Sequence, residues 1–205
     1  MSTAEIAAMI LALEAPHPLR IGIDGFCAAG KTTLANAVAE KLEAKERRVI
    51  RASADNFQNP PEVRWQLGPR SPEGFFRHAI DFQALRSELL EPLGPTGSRQ
   101  YRTSAYDIRA LRPDPSPQQV AASSAILLLD GLFLHAPQLE GCFEFTIFVA
   151  AAYETCIARA RARKQEGMAD PDEIEDRYRE RYVPGFELYV AELGPEARAS
   201  LVYRT

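Results

Sequence analysis

Cysteine is scarce in this chain: Cys27, Cys142 and Cys156 are the only three in 205 residues, and no two of them form a CxxC pair. That usage excludes a disulfide framework and fits a reducing cytosol, so a cytoplasmic protein is expected. Histidine is equally sparse. His17, His78 and His135 share no metal-ligand spacing, which removes a histidine-built metal centre from consideration. Positive charge is short as well, with 24 Lys and Arg against 28 Asp and Glu and a net charge of −4. No global basic field gathers nucleic acid or an anionic membrane, so any anion must be met by local chemistry. Long apolar segments are missing: Glu5 and Glu14 interrupt the amphipathic "MSTAEIAAMILALEA", where Ser2 or Thr3 is the candidate cap. Neither a signal peptide nor a membrane span is expected.

What is present is a core and an alternation of elements. The 46% hydrophobic content fills one domain, taken as residues 1–205, and internal repeats are absent. "LRIGID" reads as a strand, and residues 31–45 then repeat Leu34, Val38 and Leu42 at helical spacing. A second strand, "RRVIRASA", leads into Asp55, and Pro60, Pro61, Pro69 and Pro72 mark residues 59–74 as irregular. A helix is expected over 81–91, stopped before Pro92. "AILLLDGLF" and "FEFTIFVAA" are the continuous apolar runs of strands buried on both faces, and "SLVY" reads as a final short strand. Charged helical patterns cover 153–165 and 171–182. The fold expected is α/β, a parallel sheet with helices on both faces.

The chemistry concentrates in "GFCAAGKT". Gly25 to Thr32 satisfies G-x-x-x-x-G-K-[ST] between a strand and a helix, the context that a P-loop for nucleotide phosphates requires. Gly25, Phe26, Cys27, Ala28, Ala29, Gly30, Lys31, Thr32 and Thr33 are the candidate phosphate-binding residues. Backbone N–H groups and the helix N-terminus would cradle a polyphosphate, with Lys31 on the β- and γ-phosphates and Thr32 on Mg²⁺. An ordinary glycine turn capping a helix is the plainer reading of the same residues. Cys27 has no histidine near it in sequence and is read as a small residue that fits the loop, not as a nucleophile.

A P-loop alone leaves the receiver of the phosphoryl group unnamed. Asp55 follows the second strand, where a carboxylate can accept a proton from an attacking hydroxyl or hold Mg²⁺. Asp130 ends "ILLLD", a Walker B arrangement and a second candidate for the metal shell. Arg159 and Arg163 share a helix face ahead of the break "KQEGMADPDE", so a lid is expected over about 159–176, with Arg163 and Arg159 reaching the phosphates. A solvated charged face is the other reading of Arg159 and Arg161. Arg177 and Arg181 repeat the spacing, with Glu175 and Glu180 near enough for surface pairing. No N-K-x-D segment for guanine occurs.

The order of these features resembles the uridine kinase-like branch of the P-loop kinases, related to phosphoribulokinase and bacterial pantothenate kinase. The resemblance covers nearly the whole chain. It rests on "GIDGFCAAGKTTLA", "ADNF", "SPEGFFRHAIDFQAL", "LLLDGLFL", "ARARAR" and "RYVPGFELY". It implies a P-loop fold with a helical lid, ATP with Mg²⁺, and transfer to a small-molecule hydroxyl acceptor. Asp55 then matches the general base, Lys31 and Thr32 the phosphate and metal contacts, and Arg163 the lid arginine. Asp81 and Tyr106 match the acceptor pocket, to which Arg64 and Arg181 are added as candidates. Uridine kinases proper carry Tyr-Asp-Phe-x-x-His-x-Arg, whereas "YDIRALR" places Leu111 where the histidine would fall. The acceptor expected is a nucleoside or related metabolite whose identity stays open, pyrimidines included; a homo-oligomer stays open too, and an ATP-binding regulatory or adaptor protein without turnover is the competing reading.

Overall fold

The computed structural model describes residues 1–108, 110–163 and 170–205. Strands β1 (Leu19–Gly25) and β2 (Val49–Ser53) come first. Four two-residue strands follow, β3 (Gln100–Tyr101), β4 (Tyr106–Asp107), β5 (Arg112–Pro113) and β6 (Gln119–Val120), which pair as antiparallel ribbons β3–β6 and β4–β5. Then come β7 (Ile126–Gly131), β8 (Phe145–Ala150) and β9 (Leu201–Arg204). The main sheet runs β2-β7-β1-β8-β9, and every pairing in it is parallel. Every residue of β1 and β7 is buried, which is why Ile126–Leu129 of β7 reads as an unbroken apolar run, while β1 carries Arg20 and Asp24 into the interior. Leu127, Leu128 and Leu129 have no exposed surface, and such burial contributes roughly 1.5–3 kcal/mol per side chain.

Helices flank this sheet. α1 (Thr3–Leu11) begins at Ser2, whose Oγ accepts from Glu5 N at 3.3 Å while Ser2 N donates to Glu5 Oε2 at 2.6 Å. The capping box makes Ser2 the cap and sets α1 against α2 (Lys31–Glu43). The proline-rich stretch 59–74 departs from the expectation of irregular chain, since α3 (Pro61–Arg64) and α4 (Pro72–His78) form within it. Pro61 and Pro72 stand in the first turn, where the missing N–H has no helical partner to lose, and Ser71 Oγ accepts from Gly74 N at 3.0 Å. The prolines start these helices.

α5 (Phe82–Leu85) continues as a π-helical turn over Arg86–Leu90, matching the helix expected there. α6 (Tyr153–Ala162) and α7 (Pro171–Arg177) bound the segment 164–169, so the lid expected at 159–176 falls partly outside the described residues. From α7 the chain passes through a π-helical turn, Tyr178–Tyr182, into α8 (Val183–Leu193) and then α9 (Pro195–Arg198). Pro184 has no N–H to give the preceding turn, and the wider π turn accommodates its ring. Among the described residues no helix is long and apolar enough to cross a membrane.

Register brings the strand ends into line. Ile23 pairs with Asp130, Ser53 also pairs with Asp130, and Gly25 pairs with Val149. The carboxyl ends of β1, β2 and β7 thus open on one crevice, the place where open α/β sheets bind ligands.

Candidate functional site

The loop from Gly25 to Gly30 joins β1 to α2, and its backbone takes conformations that favour small residues. Ala28 has φ 57° and Gly30, the N-cap of α2, has φ 104°. No side chain caps α2, so its first N–H groups are left for an anion. Lys31 Nζ donates to Phe26 O at 2.8 Å, spanning the loop. Phe26 is 2% exposed, and its ring packs 5.0 Å from that of Tyr153 and 5.2 Å from that of Phe186. Its side chain belongs to the core, and only its backbone can serve a phosphate. Ala29 is fully buried, and its carbonyl accepts from Arg159 NH1 at 3.2 Å and from Thr205 Oγ1 at 3.3 Å. Thr33 lies in the first turn of α2. Burial pushes the Cys27 thiol up to about 12 against the pull of Lys31, with Asp55 adding to the rise. It is a neutral thiol, in keeping with the non-nucleophilic reading.

Thr32 Oγ1 donates to Asp130 Oδ2 at 2.7 Å. Asp130 is 3% exposed, and its Oδ1 accepts from Arg51 NH2 at 2.7 Å. Asp55 sits in the 3-10 turn Ala54–Phe57, whose start Ser53 caps by accepting from Asp55 N at 3.4 Å. This turn approaches β7 closely: a Cβ on Gly131 would lie 2.4 Å from Ala54 Cβ. Asp55 keeps an exposed face, yet the protein packed around its carboxyl raises its pKa; Lys31 opposes the rise, Asp130 adds to it, and Gln58 opposes it. The balance is upward, toward a base that can hold a proton.

Thr32, Asp130 and Asp55 therefore converge on the crevice. Among the described residues no three His, Cys, Asp or Glu side chains form a cage for a metal. One or two carboxylates beside a hydroxyl suit Mg²⁺, which keeps several waters and shares substrate phosphates. Thr32, Asp55 and Asp130 are the residues that could hold it, with Asp130 also tied to Thr32 and Arg51 through one hydrogen bond on each oxygen.

Of the candidate acceptor residues, Arg64 is linked to Asp55 through Gln58. Gln58 Nε2 donates to Asp55 Oδ1 at 3.5 Å, and Gln58 Oε1 accepts from Arg64 NH1. Arg181 is buried, with NH1 donating to Pro69 O at 2.7 Å, so the surface pairing allowed for it in the sequence is replaced by an interior place. Glu180 pairs with Arg70, and Arg177 pairs with Glu173 at 3.0 Å. The Tyr106 hydroxyl is buried without a partner. Asp81 Oδ1 accepts from Ala84 N at 2.9 Å, capping α5. Leu111, 48% exposed with φ 52°, lies in the turn between β4 and β5.

Of the arginines expected to form a lid, Arg159 reaches the P-loop backbone through Ala29 O. Arg161 is held by Glu175 at 2.5 Å and Asp172 at 3.2 Å, the solvated charged face foreseen for it. Arg163 is the exposed C-cap of α6.

The sequence reading missed a network beneath the loop. Asp24, fully buried, accepts from Gly25 N at 2.7 Å and from the Tyr189 hydroxyl, and its Oδ2 lies 3.0 Å from His135 Nδ1. The Tyr189 hydroxyl in turn accepts from His135 N at 3.0 Å. Burial, followed by the nearby Asp24, pushes the tyrosine pKa up, which keeps it a donor. An acid inside an apolar strand was the available signal, since a buried carboxylate demands donors. Arg51 was missed too, and a charge in the middle of "VIRAS" was its signal.

A model of the phosphoribulokinase/uridine kinase family matches residues 20–199. The chloroplastic uridine/cytidine kinase UKL1 of Arabidopsis thaliana is 28% identical over 181 residues, 86% of this chain. The chain spans 36% of that relative's length. Among solved structures, a possible uridine kinase from Bacillus stearothermophilus superposes with a TM-score of 0.77 at 20% identity, covering 98% of this chain and 96% of the other. D-glycerate 3-kinase from Cryptococcus neoformans superposes with a TM-score of 0.63 at 15% identity, covering 91% and 87%. At these identities the two structures share their fold with this chain.

Proposed function

The chain belongs to the phosphoribulokinase/uridine kinase family, and from that premise we propose that it transfers the γ-phosphoryl group of ATP to a hydroxyl of a small molecule. The observation that supports this reading best is the convergence of Lys31, the Thr32–Asp130 pair and Asp55 at the carboxyl ends of β1, β2 and β7.

Each residue has a task there. The amides of Gly25 to Thr33 cradle the phosphates, and Lys31 exchanges Phe26 O for a phosphate oxygen. Asp55 orients the acceptor hydroxyl and takes its proton as the hydroxyl oxygen bonds to the γ-phosphorus. The bond from that phosphorus to the β,γ-bridging oxygen breaks, and ADP leaves with the electron pair. Arg163 and Arg159 supply positive charge at the lid side of the loop. Thr32, Asp55 and Asp130 would hold Mg²⁺, which would supply charge neutralisation on the phosphates.

ADP release measured over a panel of hydroxyl compounds with ATP and Mg²⁺ tests the proposal. Release that rises with one acceptor class above the rate without acceptor is the expected result. Release independent of every acceptor makes the protein a hydrolase, and tight ATP binding without turnover makes it a regulatory nucleotide-binding protein; either outcome ends the kinase reading.

A further inference from the structure

Three arginines are deeply buried among the described residues, and they are not treated alike. Arg20, 4% exposed, is clamped by Glu144, with NH2 donating to Oε1 at 2.6 Å and Nε to Oε2 at 3.3 Å. Arg64 and Arg181, 7% and 6% exposed, have no carboxylate partner among the described residues. Their Nε atoms are buried and unpartnered, as is the Tyr106 hydroxyl.

The three groups share one neighbourhood. Gln58 ties Arg64 to Asp55. Burial lowers the Arg64 pKa first, while Tyr106 and Tyr182 lie close enough to oppose that shift. Arg181 is lowered by burial and then held against it by Tyr182, with Arg64 and Arg177 repelling it. The Arg181 guanidinium lies 5.7 Å from the Phe75 ring centroid and 5.8 Å from that of Tyr182. Aromatic faces soften a buried cation without neutralising it.

Guanidinium N–H groups cannot be discharged at accessible pH, so two of them buried side by side are stabilised only when an anion enters. We infer that the acceptor is itself anionic: a carboxylate or phosphate monoester sits between Arg64 and Arg181, with Tyr106 as a third donor, while the hydroxyl to be phosphorylated lies against Asp55. This rests on the kinase reading for the transfer, though not for the binding of the anion. The planar fork of arginine suits either oxyanion. Separation of the anion from Asp55 by Gln58 selects small hydroxy acids or sugar phosphates, whose charge and reactive hydroxyl lie at opposite ends. A neutral nucleoside would leave both guanidinium groups uncompensated.

The test has two readouts. In the first, D-glycerate, a pentose 5-phosphate and uridine are compared as acceptors by ADP release. One of the two anions is expected to exceed uridine, and which one identifies the oxyanion. In the second, the same two anions are titrated calorimetrically into the wild type and into Lys31→Ala, Arg64→Gln, Arg181→Gln, Arg181→Lys and Tyr106→Phe. Affinity should survive Lys31→Ala, which shows that the P-loop is not the site, and fall about 10- to 100-fold in the Gln variants. Arg181→Lys recovers part of the loss. Tyr106→Phe keeps the ring packing and weakens binding less, which holds the inference testable if a Gln variant does not fold. Uridine as the best acceptor, or anion binding that is absent or unmoved by Arg64 and Arg181, overturns the inference. Anion binding lost in the arginine variants, with no acceptor-dependent ADP release, leaves the site standing and removes the kinase reading instead.

Discussion

The Thr32 hydroxyl donates to Asp130 across 2.7 Å, joining the first turn of α2 to the end of β7 over 98 residues of sequence. The bond fixes the threonine lone pairs toward the crevice, where a hard cation can use them. Asp130→Asn keeps the shape and loses the charge. It should raise the Mg²⁺ concentration for half-maximal ADP release and lower kcat about 100-fold, in the range seen when one preorganised electrostatic stabiliser is removed from an active site. An unchanged Mg²⁺ dependence would show that Asp130 plays no part in metal binding.

Asp55→Asn removes the proposed proton acceptor and should cost about 10²- to 10⁴-fold in kcat with ATP affinity retained. Stability moves the other way. The folded chain raises this carboxyl above its ordinary 3.8, so folding favours the protonated acid, and the penalty on the ligand-free fold grows as the pH climbs above the ordinary value and is complete once it exceeds the raised one. The variant should melt above the wild type at pH 7, and the gap should close as the pH falls below the ordinary value. A variant that melts lower at pH 7 contradicts the assigned shift.

With its thiol pushed up to about 12, Cys27 carries about one thiolate in ten thousand at pH 8. Iodoacetamide at that pH should leave Cys27 unmodified on a timescale that alkylates a free cysteine peptide, as read by peptide mass. Cys27→Ala should retain most of the turnover. Rapid labelling would mean the loop opens or the thiol is activated.

Tyr189→Phe takes a donor from buried Asp24 and leaves His135 N without its acceptor. Unsatisfied buried groups of this kind cost about 1–3 kcal/mol. The urea midpoint should drop accordingly, and an unmoved midpoint would show that water or another group replaces the hydroxyl.

Gly131→Ala drives a methyl to within 2.4 Å of Ala54 Cβ, displacing the turn that carries Asp55. Overpacking of this kind costs about 1–3 kcal/mol, and ADP release should fall together with the melting temperature. Wild-type turnover would mean the turn yields without moving the carboxylate.

Local chemistry was the part of this molecule open to reading. Glycine, lysine and threonine at fixed spacing behind an apolar run define the P-loop wherever they occur, and Asp55 and Asp130 advertise themselves as acids closing strands. The sheet order β2-β7-β1-β8-β9 depends on pairings between distant segments, which no periodicity encodes. Asp24, His135 and Tyr189 lie 111 and 165 residues apart along the chain, so their union appears only in three dimensions. Pro61 and Pro72 read as breakers because their place in a first turn depends on where the helix begins. For Arg181 the sequence left surface pairing with Glu180 beside a place in the acceptor pocket; that glutamate faces Arg70, and the π turn carries the arginine inward.

The two donors on Ala29 O, from Arg159 and Thr205, have a consequence in peptide-plane terms. A trans peptide sets its carbonyl and the following amide on opposite sides of one rigid plate. Pinning Ala29 O outward therefore aims the Gly30 N–H the other way. Arg159 of α6 and Thr205, which follows β9, act as fingers on the back of that plate, so the aim of the Gly30 amide is set from the side of the peptide opposite the N–H.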